Sequence, residues 1–148
     1  MLARTHFVFG ILFGIIFLRL LEFTSLSEHI SYFVIILLGV IIPDFDHPKI
    51  SKFVSLFFSH RGFLHSIFPP LIFGWVLFHF FGYSYALPFF VGYTSHLIGD
   101  MLTVQGIKLF NPFFKFRIRG LLITGSYAEK IIFYVIIFLI LVRLYFFV

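Results

Sequence analysis

The chain has no cysteine, little charge and one tryptophan. With no thiol there are no disulfides, and no thiolate is available to bind a metal. A metal bound here takes imidazole and carboxylate ligands, a set that suits zinc, manganese or iron better than copper(I). Charged residues make up only 11% of the 148, too few for the exterior of an ordinary soluble domain. There is no internal repeat and no low-complexity stretch beyond a bias to phenylalanine.

What fills the chain is apolar. Hydrophobic residues reach 61%, 26 positions are Phe, and the mean hydropathy is +1.09. Five apolar segments stand out, at about Phe7–Leu21, Ile30–Ile42, Ser66–Phe81, Tyr85–Leu102 and Lys130–Val148. Each is apolar nearly all round, as lipid-embedded helices are. A span takes roughly 20 residues, fewer when flanking residues join it. The second segment is short and is expected to begin earlier, near Ser27. Pro69-Pro70 suits a first helical turn. The first segment also fits a signal peptide, but Glu22-Phe23-Thr24-Ser25 is a poor cleavage site, so it is expected to stay as a span.

Five crossings divide the polar residues between two sides. The side of the N-terminus carries Arg4, Lys49, Lys52, Arg61, Lys108, Lys115, Arg117, Arg119 and Lys130. The opposite side has Arg19 and Arg143, which snorkel outward from span ends. Nine of the 11 basic residues on one side make that side cytoplasmic by the positive-inside rule. The expectation is a multi-pass protein of the cell membrane with a cytoplasmic N-terminus. The net charge of +5 is then topology and contact with anionic headgroups, and the expected partners are membrane lipids, not nucleic acid. In the second long cytoplasmic loop, Lys115-Phe116-Arg117-Ile118-Arg119 alternates like a strand, and Leu121–Thr124 reads as its return after Gly120.

The same crossings gather the metal-type side chains on the cytoplasmic side. His96 and Asp100 are four apart in one segment and share a helix face. Ionisable residues inside a span are costly, so a site is the default reading over a buried ion pair. Pro43-Asp44-Phe45-Asp46-His47-Pro48 is a stiff, oxygen-rich turn directly after the second segment, though Asp and Pro are also ordinary turn residues. His60-Arg61-Gly62-Phe63-Leu64-His65 leads into the third. His6 precedes the first and Glu129 opens the last. His29 and His79 fall on the other side, out of reach.

Together these residues have a recognisable order: Thr5-His6, Pro43-Asp44-x-Asp46-His47, His60-Arg61-Gly62-x-x-His65-Ser66, Gly92-Tyr93-x-Ser95-His96-x-x-x-Asp100-x-x-Thr103, and Gly125-Ser126-x-x-Glu129. The set resembles the LexA-binding, inner-membrane-associated family of metal-dependent hydrolases, the YdjM-like proteins, across nearly the whole chain. One departure is Leu64, where that family more often has Thr. The family is in turn distantly similar to zinc-dependent phospholipase C and the P1-type nucleases, which are all-helical enzymes with clustered zinc ions. The resemblance implies that His96 is a ligand, Asp100 a ligand or bridge, and that Asp44 with His60 or His65 completes a first site, with His6 in a second.

The reading from sequence is therefore an all-α, polytopic membrane bundle of about five spans, one domain over residues 1–148, with a metal site at the cytoplasmic helix ends. The expected cofactor is one to three divalent ions, zinc above others. His6, Asp44, His47, His60, His65, His96 and Asp100 are its candidate ligands. A phosphoester hydrolase would use Asp46 or Glu129 as proton acceptor and the planar fork of Arg61 to hold phosphate. A non-catalytic metal-binding or structural membrane protein is the competing class. A transporter is disfavoured, because the middles of the spans hold no polar path.

Overall fold

The computed structural model describes residues 1–46 and 61–147. His47 and His60, two of the expected ligands, lie outside the described residues. The described residues form five α-helices: α1 (Ala3–Phe17), α2 (Leu26–Ile41), α3 (Phe68–Phe81), α4 (Tyr83–Met101) and α5 (Tyr127–Phe147). Short 3-10 turns follow α1 at Leu18–Leu20, follow α2 at Ile42–Asp46 and precede α3 at Phe63–His65. By length and composition, two segments can cross a membrane, Ala3–Leu20 and Leu26–Asp46.

The helix boundaries follow local chemistry. Ser25 starts α2 with a reciprocal cap: its hydroxyl accepts from the Glu28 amide at 3.3 Å, and Glu28 Oε2 accepts from the Ser25 amide at 3.0 Å. This confirms the earlier start expected for the second segment. Pro69 and Pro70 occupy the first turn of α3, where a missing amide hydrogen costs nothing. Helices α1 and α5 begin earlier than the apolar runs indicate: His6 lies within the first turn of α1, not ahead of it, and Glu129 lies in the first turn of α5.

Helix α4 is the hub, packed against α1, α2 and α3, while α5 packs on α1. The crossing of α2 and α4 is made by glycines. A Cβ on Gly92 would overlap the Ile36 carbonyl, and one on Gly39 would stand 2.5 Å from the Phe89 carbonyl oxygen. Small residues let membrane helices approach backbone to backbone, where burial of oil against oil supplies no force. Phe89, Tyr93 and Leu97 of α4 pack with Ile107. Tyr32, Ile36 and Val40 line the inner face of α2, and Tyr32 donates its hydroxyl to the Gly14 carbonyl at 2.9 Å.

The hairpin expected at Lys115–Thr124 does not form. No strand occurs among the described residues, only two single pairings: Ile107 with Ile118, antiparallel, and Thr103 with Leu122, parallel. The reason is the role of Gly120. It does not turn the chain back on itself, but lies against the main chain of Leu102, where a Cβ would clash. Each half of the segment therefore pairs with the chain just after α4 and not with the other half.

Candidate metal centre

Alternating helix direction brings the N-terminal ends of α1, α3 and α5 to the same end of the bundle as the C-terminal ends of α2 and α4. His6 comes from α1, Asp44 and Asp46 from the turn after α2, His65 from the turn before α3, and His96 and Asp100 from the last turns of α4. All but Asp44 are buried, and its side chain is 32% exposed.

Asp44, His65 and His96 form one group with metal-ligand spacing, and Asp100 lies beside both of its imidazoles. Nε2 of His65 lies 3.7 Å from Asp44 Oδ1 and 3.6 Å from Asp100 Oδ2. Nε2 of His96 lies 3.7 Å from Asp44 Oδ1 and 3.9 Å from Asp100 Oδ2. These separations exceed a hydrogen bond, which spans about 2.7–3.2 Å. Ligands at about 2.1 Å from a tetrahedral zinc ion stand about 3.4 Å from one another, so the spacing fits atoms arranged around a shared cation. Nε2 of His96 is fully buried and has no hydrogen-bond partner among the described residues, an expensive arrangement in a low-dielectric interior without a compensating ligand. The donor set is two imidazoles and two carboxylates, borderline-hard ligands that suit zinc or a similar divalent ion.

The outer contacts aim those atoms. Nδ1 of His96 donates to the Val40 carbonyl at 2.8 Å, which leaves the Nε2 lone pair directed inward. Nδ1 of His65 is held by Asp46 Oδ2 at 3.1 Å, and the same oxygen accepts from the Arg61 amide at 3.0 Å. Tyr93 donates its hydroxyl to the Leu64 carbonyl at 2.7 Å, pinning the turn that carries His65 to the hub helix. Burial alone would lower the His65 pKa. The nearby carboxylates of Asp44, Asp46 and Asp100 outweigh it and raise the value to about 9.

A second grouping surrounds the other oxygen of Asp100. Nε2 of His6 lies 3.3 Å from Asp100 Oδ1, and the His6 ring stacks on His96 with centroids 3.9 Å apart and planes 6° from parallel. His6, His96 and Asp100 form a second group with metal-ligand spacing. Arg61 Nη2 donates to the same Oδ1 at 3.2 Å and the Met1 nitrogen donates to it at 2.8 Å, while Arg61 Nη1 donates to the Gly106 carbonyl at 3.3 Å. The fork of Arg61 is thus partly committed to Asp100 and the loop after α4. Gly99 lies against the His6 ring, where a Cβ would come within 3.0 Å of Nδ1.

Glu129 stands apart from the His–Asp cluster. Its Oε1 accepts from the Leu2 amide at 2.7 Å and its Oε2 from the Gly125 amide at 2.6 Å, so it joins the start of α1 to the start of α5. The sequence motif includes Gly92 and Tyr93 but does not reveal their roles, and it gives no sign of Val40 or of the partner Gly39. Main-chain carbonyl partners leave no mark in a sequence, whereas two small residues in apolar segments are a usable sign of close helix contact.

The sequence model of the YdjM inner membrane protein family matches residues 1–148. Among curated proteins, YvsG of Bacillus subtilis is 36% identical over 111 residues, covering 64% of this chain and 66% of its own length. The inner membrane protein YdjM of Escherichia coli is 30% identical over 134 residues, covering 76% of this chain and 66% of its own, and its Shigella flexneri counterpart gives the same figures. The chain therefore spans just under two thirds of the length of these relatives. No solved structure matches. The two apolar spans and the inner-membrane relatives agree on a membrane location. With the match running the full length of the sequence, the chain belongs to the YdjM inner membrane protein family.

Proposed function

We propose that this protein is a multi-pass membrane hydrolase that uses a divalent ion, zinc by preference, to cleave a phosphoester at the cytoplasmic membrane face. The observation that carries the reading is the convergence of His65 Nε2, His96 Nε2, Asp44 Oδ1 and Asp100 Oδ2, at 3.6–3.9 Å across the four contacts described. These four would hold one ion, and His6 with Asp100 Oδ1 would serve another. When bound, such an ion acidifies water and polarises a phosphoryl oxygen.

The chain's own groups then divide the remaining work. Asp46 and Val40 fix the tautomers of His65 and His96. Asp46 Oδ2 already accepts two hydrogen bonds, and both Glu129 oxygens accept main-chain hydrogens, so both carboxylates suit positioning better than proton transfer. Asp44 is the partly exposed member of the cluster and marks the side from which a substrate enters. Arg61 is the cation beside Asp100, with a planar fork that matches a phosphate oxygen pair. Helix ends at headgroup level give lipid-linked phosphates ready access. The resemblance read from the sequence to zinc-dependent phospholipase C implies the same bond type.

A metal-free structural network is the second reading, favoured by the Arg61–Asp100 ion pair at 3.2 Å. The two separate on activity. Purified protein is offered a soluble phosphodiester, a phosphomonoester and a phospholipid, before and after chelation and after zinc is restored. Hydrolysis of at least one, lost on chelation and recovered with zinc, is expected. Zinc-loaded protein that turns over none of them contradicts the hydrolase.

A further inference from the structure

The connection from α4 to α5 turns apolar side chains outward at the end of the bundle that holds the His–Asp cluster. Phe110, Phe113, Phe114 and Phe116 are exposed, the last three at 73%, 65% and 71%. The base of this connection is fixed. Ile107 is buried with Phe89, Tyr93 and Leu97, and it exchanges two main-chain hydrogen bonds of 2.9 Å with Ile118. Residues 108–117 therefore form a tip on a pinned neck. Three contacts set the level of that tip. The apolar span Leu26–Asp46 ends at Asp46, and Asp46 Oδ2 holds Nδ1 of His65 at 3.1 Å. Two residues on, the Ile67 amide donates to the Leu109 carbonyl at 2.9 Å. Phe113 then meets Phe68, in the first turn of α3, edge to face with centroids 5.3 Å apart. The tip thus lies beside the point where a span leaves the membrane.

The charge on this connection has one sign. Between Asp100 and Glu129 the sequence has no acidic residue, and it has Lys108, Lys115, Arg117 and Arg119. Lys115, Arg117 and Arg119 are exposed, and Arg117 also donates to the Gln105 carbonyl at 2.8 Å. Basic residues alternating with large apolar ones are the chemistry of a segment that lies in the headgroup layer. The aromatic rings leave water for the acyl boundary, while the long basic side chains reach back to the phosphates. An anionic leaflet adds attraction for each lysine or arginine held near it. A soluble protein partner would have to reach the phenylalanines through the headgroup layer. We infer that residues 108–119 form an in-plane membrane anchor, with the phenylalanines at the boundary of headgroups and acyl chains and Lys115, Arg117 and Arg119 on anionic phospholipid. The anchor needs the membrane location of the protein and is independent of the metal reading.

Spin labelling tests this, because the chain has no cysteine of its own. Phe114→Cys and Phe116→Cys, both at exposed positions, are labelled separately. The full chain is reconstituted into vesicles of phosphatidylcholine alone or of an equal mixture with phosphatidylglycerol. Collisions of the label with oxygen, which concentrates in lipid, and with a water-soluble nickel complex present on both faces of the vesicle report its depth. In the mixed vesicles both labels should lie about 5–10 Å below the headgroup surface, the depth at which the apolar face of an in-plane segment settles. In phosphatidylcholine alone they should lie shallower. With Lys115→Gln and Arg119→Gln added, the two lipid compositions should give the same depth, because the charges that sense the anionic surface are gone. Free collision with the nickel complex at either position would place the tip in water. Shielding from both reagents would place it under protein, either this chain or a second copy. Equal depth in the two lipids with all the basic residues present would remove the anionic preference. Each of these three results would overturn the proposal.

Discussion

Nδ1 of His65 sits 3.1 Å from Asp46 Oδ2, and both side chains are fully buried. A carboxylate behind a histidine raises its basicity and fixes its orientation, the arrangement usual for histidines that bind metals. It also makes the protein's stability depend on pH in a particular direction. The His65 pKa is raised from 6.5 to about 9. In metal-free protein its contribution to stability is therefore complete below about pH 6.5 and disappears as pH rises through about 9. Thermal unfolding of chelated protein in detergent should show that decline. Zinc-loaded protein should not, because a ligated imidazole is already neutral at the ring nitrogen that binds. Parallel pH profiles with and without zinc would count against His65 as a ligand.

Glu129→Gln should destabilise the protein by about 1–3 kcal/mol, since each carboxylate oxygen accepts a buried main-chain hydrogen and the amide can accept at only one position. Metal content should stay at the wild-type level. A variant of normal stability with no turnover would return Glu129 to a role in proton transfer.

Arg61 separates phosphate binding from metal binding. It has a φ of 58°, a backbone cost that Ala and Lys share equally. Arg61→Ala should keep the metal and lower turnover of a phosphoester by about 100-fold. Arg61→Lys should restore part of it, as the charge remains and the fork is lost. If Arg61→Ala loses metal as fully as His96→Ala does, the cluster acts as one structural network.

Gly92→Leu tests the helix crossing that sets the cluster's geometry. Its side chain has no room against the Ile36 carbonyl, so α2 and α4 must separate, at a cost of more than about 3 kcal/mol. Asp44 and His96 ride on those two helices and should lose their register, so any folded remnant should bind zinc poorly. Normal stability and zinc binding would mean that the crossing is looser than described.

Topology can be read with introduced cysteines, because the natural chain has none. Ser27 and Lys115 are both exposed. In the five-span arrangement Ser27→Cys should react with an impermeant reagent from outside intact cells, and Lys115→Cys only after the membrane is opened. Labelling of both from the same side would rule the arrangement out.

Much of this arrangement is legible in the chain because its cause is simple. When apolar runs alternate in direction, polar residues at run ends fall on the same side in turn. His6, Asp44, His65, His96 and Asp100 come together in the structure for that reason, and the four-residue spacing of His96 and Asp100 already places them on one face. Roles within the cluster are a different matter. Asp46 lies two residues from Asp44, yet it faces His65 Nδ1 and not Nε2, which depends on the pitch of one 3-10 turn. The contact of Arg61 with Asp100 spans 39 positions and rests on a left-handed residue that composition does not signal. The alternation of Lys115–Arg119 reads as a strand because it is one by pattern, but the segment finds its partner in Ile107, next to α4, and forms a single pairing.

The most direct test of the central claim is the metal content of protein purified without chelator, for the wild type and for His96→Ala combined with Asp100→Ala. The wild type should carry at least one zinc or similar divalent ion per chain, and the double variant should carry none while retaining its helical content. A wild type that binds no divalent ion even after zinc is added, or a double variant that retains the full complement, would contradict the metal centre.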